Sequence, residues 1–240
     1  MKIVSLTGVL KSQELTVTKS IGSLILCFDD VLANLLNEKI SVYIERANGS
    51  NVILANKVNF KDFILASTYG SEAVQSNQDF KTIALCELSF EGSIFLAEKE
   101  SIKIQLDDLR SARTYEVFGV EHPVPSNDLY HFEQKSIASE EVNKKVDVRG
   151  FDLAIITMDD SVSDISYYFE NGQVIKFLPF ELRALSVDVD PIQYIKNDGT
   201  VDQILEGRLA LPLVHVDFIE INKSQGAVVN FVVRTIKNVE

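Results

Sequence analysis

The chain contains no tryptophan, two cysteines, two methionines and five prolines in 240 residues. Without tryptophan the usual stacking platform for a sugar ring is missing, although seven tyrosines could substitute. Two cysteines cannot build a disulfide-dense scaffold, and a chain of this length has no need of one. Cys27 and Cys86 each sit in an apolar run, where a free thiol behaves as a small buried hydrophobe; the sequence leaves open whether they pair. No run approaches the roughly 18 apolar residues that span a bilayer. The N-terminal stretch MKIVSLTGVL has one lysine but no continuous apolar segment, so no secretory signal is expected. The expectation is a product that is soluble after synthesis and matures in a cytoplasm.

Positive charge is short as well. Twenty-three bases against 35 acids leave a net charge of −12 and a pI near 4.8, a balance that repels phosphate backbones. Lys144 and Lys145 form the only adjacent basic pair. Direct contact with nucleic acid is not expected. Catalytic signatures are missing too: there is no GxSxG, HExxH, GxGxxG or GxxxxGK[ST].

What is present is a repeat. Residues 40–45, ISVYIE, return as residues 165–170, ISYYFE, and an Asn-Gly pair follows each copy, Asn48-Gly49 and Asn171-Gly172. Val52-Ile53 and then Phe60 follow the first turn, as Val174-Ile175 and then Phe180 follow the second. Upstream, residues 24–30 (LILCFDD) match 153–160 (LAIITMDD): an apolar run closed by two aspartates. Downstream, 83–90 (IALCELSF) is matched to 211–218 (LPLVHVDF), and 102–106 (IKIQL) to 228–232 (VVNFV). Four segments recurring in one order, displaced by roughly 120 to 130 residues, predict one β-rich unit used twice. Short alternating strands and Asn-Gly turns recur in unrelated sandwiches, which is the bland alternative.

An apolar content of 46% can fill a core in each half. The boundary falls in residues 121–128 (EHPVPSND), where Pro123 and Pro125 remove strand donors and hold the preceding residues extended. The expected organisation is a first unit over 1–122, a linker over 123–132 and a second unit over 133–240. Residues 31–37 (VLANLLN), behind the N-cap signal Asp29-Asp30, predict one or two helical turns. Residues 60–65 are ambiguous between helix and strand, and 180–185 predict a short amphipathic helix. Residues 68–78 read as a polar loop, and 188–207, with Pro191 and Asn197-Asp198-Gly199, as a longer surface insertion. Short strands, few helices and frequent turns predict an all-β chain of two antiparallel sandwiches in tandem.

No constellation of catalytic, cofactor-binding or metal-binding residues emerges. His122 and His131 fall in the linker, and His215 between Val214 and Val216 on an alternating strand, without metal-ligand spacing. The acid pairs Asp29-Asp30, Asp107-Asp108, Asp159-Asp160 and Asp188 with Asp190 could take calcium if loops brought them together. Neighbours on a strand point to opposite faces, however, and aspartate is an ordinary strand terminator. Asn48-Gly49-Ser50 and Asn222-Lys223-Ser224 fit the glycosylation sequon, and turn chemistry accounts for both.

In its duplicated strand pattern, size and lack of catalytic groups, the whole chain resembles the double jelly-roll major capsid proteins of tailless icosahedral viruses, particularly membrane-containing bacteriophages. The resemblance rests on architecture, with no invariant motif. It implies two tandem jelly rolls with a few short helices in their connections. It also implies a structural role in the virion capsid, assembled in the host cytoplasm as pseudo-hexameric homotrimers that meet neighbouring capsomers, minor capsid, penton or membrane proteins. Residues 1–15 and 124–139 are the candidates for intersubunit or inward contacts. A two-domain spike or glycan-binding protein is the alternative reading, and a β-sandwich enzyme the third.

Overall fold

The computed structural model describes residues 1–69, 74–188, 193–203 and 208–239. In the N-terminal half the chain forms β1 (Lys2–Leu6), β2 (Leu15–Val17), β3 (Ser23–Phe28), β4 (Lys39–Glu45), β5 (Asn51–Asn59), the helix α1 (Phe60–Thr68), β6 (Val74–Gln75), β7 (Thr82–Glu87), β8 (Ser93–Ile94), β9 (Ser101–Asp107), β10 (Tyr115–Val120) and β11 (Pro125–Ser126). The C-terminal half adds β12 (Asp128–Ile137), β13 (Asn143–Asp147), β14 (Leu153–Thr157), β15 (Val162–Phe169), β16 (Val174–Phe177), α2 (Pro179–Asp188), β17 (Gln193–Ile195), β18 (Val201–Gln203), β19 (Arg208–Pro212), β20 (Val216–Lys223) and β21 (Val229–Asn238).

Eight strands of each half follow the same wiring. In the first, the sheets run β1-β10-β3-β7 and β2-β9-β4-β5; in the second, β12-β21-β14-β19 and β13-β20-β15-β16. Numbered within a unit, both halves give first-eighth-third-sixth against second-seventh-fourth-fifth, so the duplication extends to strand order. The repeated ISVYIE and ISYYFE are the fourth strands, β4 and β15, and each is closed by a turn whose glycine, Gly49 or Gly172, sits at φ 82° or 81°. The Asn-Gly pair is repeated because that left-handed position strains any residue with a Cβ.

The downstream pairing of segments needs correcting. The counterpart of β7 is β19, so residues 211–218 straddle the end of β19, a turn and the start of β20. The counterpart of β9 is β20, not β21, whose partner in the duplication is β10. The cause lies in the connections: residues 88–100 separate β7 from β9, whereas only 213–215 separate β19 from β20. An alternating pattern marks a strand without marking which strand it is.

The two units are joined edge to edge. β5 and β12 pair in parallel, with Phe132 opposite Ala55, which fuses one sheet of each unit into an eight-stranded sheet, β19-β14-β21-β12-β5-β4-β9-β2. Five of the positions read as linker, 128–132, therefore belong to the first strand of the second unit. The fused sheet explains a composition that alternation alone does not. Ile155 and Val232 face the core of the first unit while Ala154, Ile156, Phe231 and Val233 face that of the second. A strand covered on both sides reads as an unbroken apolar run. β13, by contrast, keeps the alternating NKKVD of a strand with one wet face.

α1 settles the ambiguity of residues 60–65. The Asn59 side chain accepts from the Asp62 N–H at 3.2 Å, an N-cap, and all nine residues of the helix are buried. The helix expected over 31–37 is instead one 3₁₀ turn at Leu32–Asn34, because the Glu38 carboxylate accepts from the N–H groups of Leu36 and Asn37 and turns the chain into β4. The insertion over 188–207 is more than a surface loop. Its residues form the β17–β18 hairpin, and β17 pairs in parallel with β6, extending a sheet of the first unit. Pro191 lies outside the described residues.

Candidate functional surface

The chemistry of this chain concentrates at the seam between the units, where α1 covers the outer face of the β12-β21-β14-β19 sheet. Phe63 of α1 meets Phe132 of β12 edge-on, with ring centroids 4.8 Å apart. Asp62, in the first turn, pairs with Arg208 at the head of β19 at 2.7 Å, and its side chain is 1% exposed. Burial raises the Asp62 pKa, and the Arg208 guanidinium beside it pulls the other way. At the far end of the helix Arg234 of β21 donates to the carbonyls of Ala66 and Tyr69 at 2.9 and 3.3 Å, and to the Asp152 carboxylate at 2.6 Å. An arginine at a helix C-terminus meets carbonyls left without helical partners. Between these anchors the Gln134 side chain accepts from the Asn59 N–H at 3.0 Å and donates to the Phe231 carbonyl at 2.9 Å. Both ends of one unit's helix are thus gripped by the other unit's sheet.

Sequence reasoning missed Asp62, Phe63, Arg208 and Arg234. The signal available was a lone arginine inside the apolar run FVVRTI, since a charge in a buried strand needs a partner close by.

The singled-out histidines and acids do not converge. His131 lies on β12 rather than in a linker, half-buried, and burial holds its pKa below the ordinary value. His215 is off the strand, in the turn before β20 at φ 63°, exposed and 3.2 Å from Glu170. His122 is exposed, 93 residues from His215 by position and on the other unit. Asp30 pairs with Arg113 at 2.5 Å, Asp107 with Lys11 and Asp108 with Lys39, each at 2.7 Å. Asp29 and Asp159 accept from the backbone N–H groups of Thr114 and Ser161. The Asp188 side chain and Asp190 lie outside what is described. Among the described residues no three His, Cys, Asp or Glu side chains gather as a metal site would require. Asn48 accepts from the Ser50 N–H and hydroxyl, as a turn residue does. Asn222, read as a turn residue, is on β20 and donates to Asp164.

Cys27 and Cys86 are free thiols, though they lie on adjacent strands. Cys86 stands opposite Leu24 and faces the core, while Cys27 stands opposite Ile83 and faces outward, so the pleat separates them.

Two clefts open on the described surface. One of 770 Å³ lies between the β4–β5 turn, Phe95, Asn127 and Val239. Another of 390 Å³ opens beside the Asp62–Arg208 pair, with Lys39, Lys57 and Asp108 at its wall. Neither gathers a nucleophile with a base. No described helix is long and apolar enough to cross a membrane.

No protein-family model and no curated protein matches the sequence. Solved structures do match the fold. The major capsid protein P2 from bacteriophage PM2 aligns over 100% of this chain and 95% of its own, with a TM-score of 0.56 at 7% identity. The chain has the double jelly-roll fold. A chain from the atomic structure of Sulfolobus Turreted Icosahedral Virus aligns over 98% of this chain and 87% of its own, with a TM-score of 0.54 at 7% identity. The double jelly roll therefore spans the full length here, and the all-β expectation of two tandem jelly rolls with few, short helices holds.

Proposed function

We propose that this chain is a major capsid protein of an icosahedral virus, a shell subunit that assembles as a pseudo-hexameric homotrimer and acts without catalysis or a bound cofactor. The observation that carries the reading is one chain holding two identically wired sandwiches fixed side by side, an architecture matched end to end by a phage major capsid protein and by a chain from an icosahedral virus. A trimer of such chains places six similar units around one axis and tiles a closed surface with three copies. A net charge of −12 suits a shell that meets proteins or a membrane rather than naked genome. The subunit would reside in the virion capsid after assembly in the host cytoplasm, against neighbouring capsomers and minor capsid, penton or membrane proteins.

Size-exclusion chromatography with light scattering is the first test: the expected particle is three chains of 26.8 kDa. Electron microscopy of particles containing the protein should show it as the repeating block of the shell. A strict monomer at high micromolar concentration that binds glycans on an array would replace this reading with that of a spike.

A further inference from the structure

The smaller cleft, of 390 Å³, is shared between the units: Lys39, Lys57 and Asp108 line it from the first, and Thr157, Arg208 and Asn230 from the second. Small ligands bind preferentially at such junctions, in sites of roughly 300–1,000 Å³. The walls here are polar, with Leu36 the one apolar residue among the described residues that line them, so the occupant must be polar as well. We propose that this cleft binds an acidic monosaccharide, free or at the end of a longer glycan, with its carboxylate or phosphate held between Lys57 and Arg208 and its hydroxyls met by Asn37, Thr157 and Asn230. This goes beyond the shell reading and does not depend on it.

Three observations converge on it. First, the cleft is positive on a chain whose net charge is −12. Its two carboxylates are matched, Asp108 by Lys39 and Asp62 by Arg208, each at 2.7 Å. Lys57 makes no ion pair among the described residues, which leaves its charge for a ligand. Lys39, and then Lys57 and Lys11, hold the Asp108 pKa below its ordinary value, so the cations crowd one wall.

Second, the two anion-binding side chains are positioned in advance. Arg208 donates through Nε to the Asp62 carboxylate, which is 1% exposed. That bond fixes the plane of the guanidinium, whose fork has further donors for an anion. Lys57 is placed by a bulge: between the pairs Ile40–Val58 and Val42–Ala55, Asn56 and Lys57 of β5 stand opposite the single Ser41 of β4. The Ser41 hydroxyl accepts from the Lys57 N–H at 2.9 Å, and a bulge of this kind re-aims a side chain. Lys57 has φ 49° and Asp108 φ 54°, so two of the four described non-glycine residues in left-handed backbone stand at this one cleft. Strained positions gather where a ligand is held.

Third, the remaining wall suits hydroxyls. The side-chain amides of Asn37 and Asn230 and the hydroxyl of Thr157 make no hydrogen bond to another described residue. Amides and hydroxyls donate and accept alike, as a sugar's hydroxyls do. A bare inorganic anion would leave all three unused. A ligand touching both units also ties them together, so its binding stabilises the folded chain by mass action.

The test titrates the full chain by calorimetry with glucuronate, glucose 6-phosphate, glucose and inorganic phosphate. At least one of the two acids should bind saturably and raise Tm with its concentration, glucose should not bind, and phosphate should bind at least about tenfold more weakly. Lys57→Gln should weaken the acid about tenfold or more. Asn230→Asp puts a carboxylate on an exposed position away from the bulge and should weaken it similarly, with both variants keeping the wild-type far-UV circular dichroism. Spots of a glycan array that end in a uronic acid are retained if the ligand is the tip of a glycan, and only the free acid binds if it is a small molecule. No saturable binding of either acid, phosphate binding as tightly as the acids, or an affinity unmoved in both variants overturns the site. A trimer that fails in this way loses the site and keeps the shell reading, whereas a monomer absent from particles that still binds the acids keeps the site and loses the shell.

Discussion

Phe63→Ala tests whether α1 belongs to both units. Phe63 is fully buried in a core that draws on Phe28, Phe60 and Tyr115 of the first unit and on Phe132, Leu153, Ile155 and Val232 of the second. Truncating a buried phenylalanine costs about 3–5 kcal/mol in transfer and cavity terms, and the edge-on contact with Phe132 lies within that range. For a chain of this size the loss lowers Tm by about 10 °C. The measurement is differential scanning calorimetry at fixed protein concentration, since association also moves Tm. One transition should shift as a whole, because the removed ring supports a sheet of each unit. Two transitions, with only the earlier one moved, would refute the idea that the helix is shared structure.

Residues 128–240 expressed alone should aggregate, since the face holding Phe132, Leu153, Ile155 and Val232 loses its cover; a soluble, cooperatively melting fragment would contradict this. His131 has a depressed pKa, so its contribution is present above about pH 6.5 and is lost as pH falls through the folded value. Tm should therefore drop less between pH 7 and pH 5 in His131→Gln than in the wild type, and equal slopes would exclude the effect. Burial pushes the Cys86 thiol up to about 12 and the Cys27 thiol up to about 11, so neither should react with a thiol reagent at neutral pH until the chain is denatured, when both do. Arg113, 4% exposed, pairs with Glu38, 1% exposed, at 2.7 Å. Arg113→Met should cost about 3–5 kcal/mol in urea unfolding by removing the buried partner of Glu38, and adding Glu38→Met should not restore it, because the N–H groups of Leu36 and Asn37 then lose their acceptor.

The sequence carried the unit and its doubling, because ISVYIE, ISYYFE and their Asn-Gly turns record local geometry that repeats wherever the fourth and fifth strands do. It carried the helices less firmly: Phe60 and Phe180 were matched, yet residues 60–65 have the composition of a buried strand, and only the Asn59 cap tips them to helix. It did not carry the identity of the later strands, since the connections differ in length between the units. It also hid the seam. Pro123 and Pro125 mark a break in the chain, and a break in sequence suggests a tether. Here the chain emerges from those prolines directly into β12, which lies against β5. Asp62 and Arg208 are far apart in sequence and unremarkable one by one, and Arg234, conspicuous in its apolar run, does not name its partners; only pairing makes them a clamp.

The place of β21 has a consequence for biosynthesis. It leaves the ribosome after every other described strand, yet it sits in the interior of the fused sheet, between β12 and β14. Until it arrives, the second half has a gap at its centre and the first half lacks part of the lid over α1. The nascent protein must therefore wait, sticky and unfinished, for β21. A truncation that removes β21 should therefore yield insoluble product rather than a slightly shortened subunit.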